Sequence, residues 1–217
     1  MAEAGSDAAI HADDPELAAL AAEGRVVAYF GYGSLVNRAT LRTRFLGIRR
    51  ASVTGWRRFW MPRAAPMPAL LSVRPHEGFE TRGVVVYDRA DHLPSVDERE
   101  AGYARRVVMP CHARVEASPV ADVPLFIYEV SPVALDAAEA GATILQSYLD
   151  AVLQGFRSLY GDTGVARFVA ETEGFETAVL ADRADPRYPR AVRLAPEEAE
   201  LFDRLVTERG ARIVPAG

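Results

Sequence analysis

The sequence predicts an α+β fold: a small, β-barrel-like mixed sheet with flanking helices and a helix-rich C-terminal part. Three observations carry this. Short β-type runs bounded by glycine, proline and charge crowd the stretch from Val26 to Tyr128. After Pro132, apolar residues recur at alternating steps of four and three, which lines one face of a helix. Strands first and helices later favour segregated layers over a doubly wound sheet.

The elements follow in order. Residues 1–12 are mostly small and polar and read as a flexible tail ahead of a single domain over 13–217. Asp13-Asp14-Pro15-Glu16 starts a helix that Gly24 stops. Val26 to Phe30 is an apolar run and reads as a buried strand. Ala51 to Trp60 reads as a strand interrupted by Gly55, followed by strands at Ala69–Val73, Gly83–Tyr87, Arg106–Met109 and Leu125–Tyr128. Several short strands close together suggest a barrel or a strongly curved sheet. Ala138, Ala142, Leu145, Leu149, Val152, Phe156 and Leu159 predict one long helix ended by Gly161. Further helices are expected over Val165–Thr172 and Pro196–Arg209, with Asp182–Pro189 as a surface loop.

Composition narrows the function. Apolar residues make up 49% of the 217, enough to bury a sizeable core. A net charge of -5 and a pI near 5.5 argue against a general nucleic-acid or anionic-membrane binder. No stretch reaches the roughly 18 apolar residues of a membrane helix. The start, Met1 to Asp7, lacks the basic segment and apolar run of a signal peptide. Cys111 stands alone, so no internal disulfide is required. A cytoplasmic protein is therefore expected. His11, His76, His92 and His112 show no metal-ligand spacing, and no metal or organic cofactor is expected. Cys111 and His112 would alternate faces in a strand, which disfavours a dyad and leaves Cys111 a structural role. The sequence leaves the oligomeric state open.

Two segments stand out. Gly31-Tyr32-Gly33-Ser34-Leu35 follows the first strand. Paired glycines let the backbone approach a ligand and turn N–H groups toward an anion or oxyanion. A plain chain-reversing turn remains the alternative. Val36 stands where a dinucleotide fingerprint wants glycine or alanine, and no acidic residue follows at the right interval. Tyr32 and Val36 deny Ser34 the nucleophile elbow of a serine hydrolase. The second segment is Ser95 to Tyr103. Ser95 and Glu98 have capping-box spacing, so a short helix is expected, stopped by Gly102. Asp97 and Glu98 suit a helix start, whereas Glu100 lies further in and capping does not explain it. Glu100 is either a surface partner of Arg99, Arg105 or Arg106, or a general acid/base in a partly closed pocket.

Together the two segments resemble the γ-glutamylcyclotransferase superfamily, AIG2-like and in particular ChaC-type. Phe30 to Leu35 is similar to its opening motif, and Asp97 to Tyr103 to its Asp-x-x-Glu segment. Gly55-Trp56-Arg57-Arg58-Phe59-Trp60 resembles a third shared segment. The resemblance is good over residues 27–130 and weaker through Gln146-Ser147-Tyr148. It implies the barrel-like α+β fold, no cofactor, and a small-molecule γ-glutamyl substrate. By motif position it makes Glu100 the catalytic residue and Gly31, Tyr32, Gly33, Ser34 and Leu35 the substrate-binding loop. Tyr103, Tyr128 and Tyr148 are candidate partners of the glutamyl group or of the pocket rim. Arg57 and Arg58 are candidates for a substrate carboxylate, against an ordinary surface role.

The implied reaction is attack of the free α-amine on its own γ-carbonyl, giving 5-oxoproline and a released amine or amino acid. The amine is mostly an ammonium at neutral pH and must lose a proton first, which a glutamate can accept. Glutathione is the first candidate substrate. Ala101 and Val36-Asn37 depart from the usual ChaC pattern, which keeps γ-glutamyl amines and other conjugates open. A non-catalytic binding module on the same fold is the reading from another class.

Overall fold

The computed structural model describes residues 10–42, 44–100, 102–130 and 141–216, the side chain of Arg99 excepted. The chain divides into two compact units. One comprises Met1–Tyr32, Arg42–Trp56 and Pro75–Ser131; the other comprises Gly33–Leu41, Arg57–Arg74 and Pro132–Gly217.

In the first unit, most of the expected tail lies outside the described residues. Ile10 is buried and its N–H donates to Ile48 O at 3.1 Å. Helix α1 (Leu17–Ala22) buries Leu17 and Leu20, and Gly24 ends it with φ +68°. Strand β1 (Val26–Gly31) is buried along its whole length because it is central in a sheet. Strand β2 spans Gly47–Met61 and keeps Gly55 inside it at φ +101°. Strand β3 spans Leu70–Arg89. The expected runs at 69–73 and 83–87 are thus one strand, whose polar middle is exposed, which is why the sequence reads as two. Helix α2 (Leu93–Arg99) begins two residues before Ser95 with Pro94 in its first turn, so the expected capping box does not form.

Strands β4 (Ala104–Val107), β5 (Ala113–Val115) and β6 (Leu125–Glu129) complete this sheet. Its order is β4-β6-β1-β3-β2-β5. β1 runs antiparallel to β3, with Val26 opposite Arg89 and Gly31 opposite Val84, and parallel to β6. The sheet is therefore mixed, and β4 and β5 stand at its two ends, paired with β6 and β2 but, among the described residues, not with each other. It is an open sheet rather than a closed barrel. The end strands are only four and three residues long, too short to close a ring. Val107 and Met109 are exposed, so the apolar run at 106–109 is an edge and not a core strand.

In the second unit, β7 (Ile144–Leu145) leads directly into α3 (Gln146–Glu171). Residues 141–145 are not helical, so the expected helix begins later than its apolar spacing indicates; Ala138 lies outside the described residues. Gly161, at φ +68°, breaks the helical geometry between the two halves of α3, which correspond to the two helices expected. Strand β8 (Val179–Ala181), helix α4 (Pro196–Glu208) and strand β9 (Ile213–Pro215) follow. β7, β8 and β9 form a small parallel sheet, with Ile144 beside Val179 and Val179 beside Ile213. In α4, Glu198 accepts from the N–H of Ala195 at 3.0 Å, and Gly210 follows the helix. The loop at 182–189 is mostly exposed, but Asp182 is buried and accepts from Ser147 N–H at 2.8 Å and Ser147 Oγ at 2.6 Å at the start of α3. Among the described residues no helix is long and apolar enough to cross a membrane.

Candidate functional site

The glycine loop belongs to both units: Gly31 and Tyr32 to the first, Gly33 to Leu35 to the second.

In the first unit, β1 delivers the chain to Gly31. A Cβ at Gly83 would lie 2.3 Å from Gly31 O and 2.7 Å from Phe30 Cζ, so only glycine at 83 lets β3 pass this close. The Tyr32 hydroxyl donates to Tyr128 O at 2.8 Å. Tyr128 is buried, and its own hydroxyl donates to Asp97 Oδ1 at 2.6 Å. Arg105 Nη1 donates to Asp97 Oδ2 at 2.6 Å, with its guanidinium 4.9 Å from the Phe126 ring centroid. Burial, then the Asp97 carboxylate, pushes the Tyr128 phenol well above its ordinary pKa.

Asp97 and Glu100 are three residues apart on α2 and its cap, so one short element positions both. Glu100 is half-buried. Its N–H donates to Val96 O and its carbonyl accepts from Tyr103 N–H, each at 2.9 Å. Gly102, at φ +100°, then turns the chain into β4 and sets Tyr103 at the strand entrance. Tyr32, Tyr128 and Asp97 are therefore linked in one chain of hydrogen bonds that ends on the helix carrying Glu100. Beside it, Glu129 accepts from Trp56 Nε1 at 2.8 Å and from Arg106 Nε at 2.7 Å.

In the second unit, the loop closes into a single 3₁₀ turn over Ser34–Val36. Its first internal bond runs from Val36 N–H to Gly33 O, so the turn itself does not use the N–H groups of Ser34 and Leu35. Asn37 pins the turn to α3. It is buried, its Nδ2 donates to Ala151 O at 2.8 Å, and its Oδ1 accepts from Ala39 N–H at 2.9 Å. α3 comes close here because residue 155 is glycine: a Cβ there would lie 2.7 Å from Asn37 N. Tyr148, in the first turn of α3, reaches the loop. Its hydroxyl lies 2.8 Å from the place a Cβ on Gly33 would occupy.

Arg57 and Arg58 have structural partners. Arg57 Nη1 lies 2.9 Å from Glu173 Oε1. Arg58 is 1% exposed, which overturns a surface role. Its guanidinium carbon lies 4.6 Å from the Phe168 centroid and 5.2 Å from that of Phe156, and Nη2 lies 3.7 Å from Glu171. Burial lowers its pKa to about 10. Cys111 is exposed and belongs to the 3₁₀ turn Pro110–His112 rather than to a strand, so it has no core role. His112 Nδ1 sits 3.0 Å from Thr54 Oγ1.

Residues 29–145, more than half of the chain, match the family model described as gamma-glutamyl cyclotransferase, AIG2-like. The chain belongs to this family. Two solved structures share the fold of this AIG2-like chain. One is named gamma-glutamyl cyclotransferase, with 14% identity, a TM-score of 0.51, and coverage of 82% of this chain and 99% of that one. The other is an uncharacterised human protein, with 15% identity, a TM-score of 0.50, and the same coverage of both chains. No curated protein sequence matches the chain. The sequence marks Asp97 as part of the Asp-x-x-Glu segment and as a helix-start carboxylate but not as the partner of Tyr128. It marks Asn37 as a departure from the ChaC pattern but not as the link to α3, because Tyr128 and Ala151 lie far along the chain.

Proposed function

We propose that this chain is a γ-glutamyl cyclotransferase with Glu100 as its proton-transfer residue. The observation that carries this is the family match, which spans both the Gly31–Leu35 loop and the Glu100 segment. The loop holds the glutamyl group, with the N–H groups around Ser34 and Leu35 serving either the substrate α-carboxylate or the developing oxyanion. Glu100 takes a proton from the α-ammonium. The freed nitrogen attacks the γ-carbonyl carbon, and a new C–N bond forms as the carbonyl becomes a tetrahedral oxyanion. Glu100 returns the proton to the departing nitrogen, the old amide bond breaks, the ring nitrogen gives its second proton to water or to the freed amine, and 5-oxoproline and the released amine or amino acid leave. Because nucleophile and electrophile share one chain, holding that chain folded supplies much of the acceleration. Tyr103 and Tyr148 serve as rim contacts to the glutamyl chain. Tyr128, committed to Asp97, acts as a positioning residue for the helix that carries Glu100.

Glutathione is the first candidate substrate, with γ-glutamyl amines as the alternative. Release of 5-oxoproline by purified protein, over a panel holding both, tests the reading. Product from the unmodified chain and its loss in Glu100→Gln are expected. Undiminished turnover in Glu100→Gln overturns the assignment of that residue, and no product from any γ-glutamyl compound overturns the activity.

A further inference from the structure

Helix α3 begins without a cap of its own. Its N-cap residue is Leu145, whose side chain has no acceptor, so acceptors for its first N–H groups come from outside the helix. Asp182 supplies them. β7 and β8 run parallel with Leu145 beside Leu180, and the chain reaches Asp182 two residues later, as it leaves β8. The Ser147 N–H donates to Asp182 Oδ1 at 2.8 Å, and the Ser147 hydroxyl donates to Asp182 Oδ2 at 2.6 Å. A third bond comes from the Arg187 N–H at 3.0 Å. Asp182 is 1% exposed. Burying a carboxylate is costly unless donors surround it, and its charge suits a helix N-terminus.

The next residue repeats the grip one turn further on. Arg183 Nε donates to Asp150 Oδ2 at 2.8 Å, and Arg183 Nη2 donates to Asp150 Oδ1 at 2.9 Å. Such a fork fixes direction as well as distance. Asp182 and Arg183 therefore hold positions 147 and 150 of one helical turn, and Tyr148 lies between them. Ser147 Oγ also accepts from the Tyr188 N–H at 3.2 Å. The Tyr188 ring stands edge to face on Tyr148 with centroids 5.0 Å apart. One hydroxyl thus ties down both the backbone beside Tyr148 and one wall of the slot around its ring. The Tyr148 hydroxyl in turn lies 2.8 Å from the place of a Cβ on Gly33. Gly33 has no side chain to anchor it, so what packs against it sets its place. Asn37 pins the far end of the turn, and Tyr148 meets the near end.

We infer that Ser147 and Asp182 are positioning residues that fix Tyr148 and, through its hydroxyl, the place of the glycine loop. The inference rests on the cyclotransferase reading for what the loop holds, and on geometry alone for how the loop is held. A loop that offers N–H groups to a ligand works only while it stays within roughly 0.5 Å of the productive geometry. Both residues act through Tyr148 and not on the substrate.

The test is a double-mutant cycle between Gly33→Ala and Ser147→Ala in the full chain. A methyl at 33 meets the Tyr148 hydroxyl, and its cost depends on how firmly Tyr148 is held. The backbone cost of the alanine is common to both backgrounds and cancels. Without substrate, urea melts read the folding equilibrium constant. Gly33→Ala is expected to lower it about tenfold in the parent and about threefold or less in Ser147→Ala. With glutathione and γ-glutamylglycine as substrates, Ser147→Ala is expected to raise KM about threefold and to leave kcat within about twofold. A residue that only supports the fold behaves differently. Its loss lowers the amount of active protein, and so the apparent kcat, with KM unchanged. Asp182→Asn, which keeps one carbonyl oxygen, replaces Ser147→Ala if that variant does not fold, and it is read against the same values. Equal costs of Gly33→Ala in both backgrounds, no cost in the parent, or a loss of kcat alone in Ser147→Ala overturns the inference. A coupled cycle in the melts without turnover of any γ-glutamyl compound keeps the positioning and rejects the cyclotransferase; turnover with an additive cycle does the reverse.

Discussion

Tyr128 is a buried residue and Tyr188 carries a buried hydroxyl, and the two phenols are treated in opposite ways. Tyr128 gives its hydrogen to Asp97, which Arg105 also binds. Tyr188 gives its hydrogen to nothing among the described residues, and Trp60, one ring beyond Tyr148, does the same. A satisfied buried hydroxyl fixes a scaffold and gains nothing from a ligand. An unsatisfied one costs stability. The difference separates a phenol tied to the helix that carries Glu100 from one that the described residues leave unpaired.

The largest effect is expected at Glu100, the proposed proton-transfer residue. Glu100→Gln is expected to lower 5-oxoproline release at least about a hundredfold, the usual size of a general acid/base contribution. Its melting temperature should stay within a few degrees of the parent, which calorimetry checks. Equal losses of turnover and of stability would make Glu100 a structural residue. On the other side, Gly33→Ala places a Cβ 2.8 Å from the Tyr148 hydroxyl. That hydroxyl has little room to retreat, because Trp60 and Tyr188 flank its ring. About a tenfold rise in KM is expected, corresponding to about 1.4 kcal/mol. Tyr148→Phe removes the colliding oxygen, so the double variant should recover part of the loss. A double-mutant cycle with no coupling would show that the loop yields instead.

Where apolar pattern and chemistry coincide, the fold was legible from the chain. Val26 to Phe30 is a buried strand because it is apolar throughout, and Gly161 and Gly210 interrupt or end helices as their backbone freedom allows. The start of α3 was not legible, since Ala142 and Leu145 keep the helical spacing while residues 144–145 pair with β8. Sheet closure was not legible either, because it depends on pairing of β4 and β5, which are too short and polar to announce themselves. Within the candidate site, Gly31, Gly33 and Glu100 stand out in the sequence because they belong to motifs. Residues that act through long-range partners could not. Asn37 reaches Ala151, and Tyr188 reaches Tyr148, across stretches that no local spacing encodes. Arg58 misleads for the same reason, since the rings of Phe156 and Phe168 that bury it come from a helix about a hundred positions on.

Stability offers a sharper comparison than activity. Tyr128→Phe deletes a hydrogen bond to a carboxylate and is expected to cost about 1–2 kcal/mol in chemical denaturation. Tyr188→Phe deletes a hydroxyl with no partner and is expected to be neutral or slightly stabilising without ligand. A comparable cost for both would mean that the Tyr188 hydroxyl has an acceptor after all.

The smallest effect is a pH dependence confined to one of the pair. The Tyr128 phenol is raised above its ordinary 10.0 by burial first and by Asp97 second. The native state thus keeps this proton where the unfolded chain has begun to lose it. Where the native state binds more protons, stability falls as pH rises. The contribution of Tyr128 is therefore intact below about pH 10 and is lost progressively as pH climbs toward the raised native value. Tyr87 is shifted in the same direction by burial, so some alkaline fall remains whatever happens at 128. Tyr128→Phe should flatten the stability curve above pH 10 relative to the parent, whereas Tyr188→Phe should leave its slope alone. Urea melts at a series of pH values from 8 to 11 read both slopes. Parallel curves for the parent and Tyr128→Phe would mean that the phenol titrates equally in the folded and unfolded chains. The bond to Asp97 would then be no firmer than one to water, and the claim that Tyr128 fixes the Glu100 helix would fail with it.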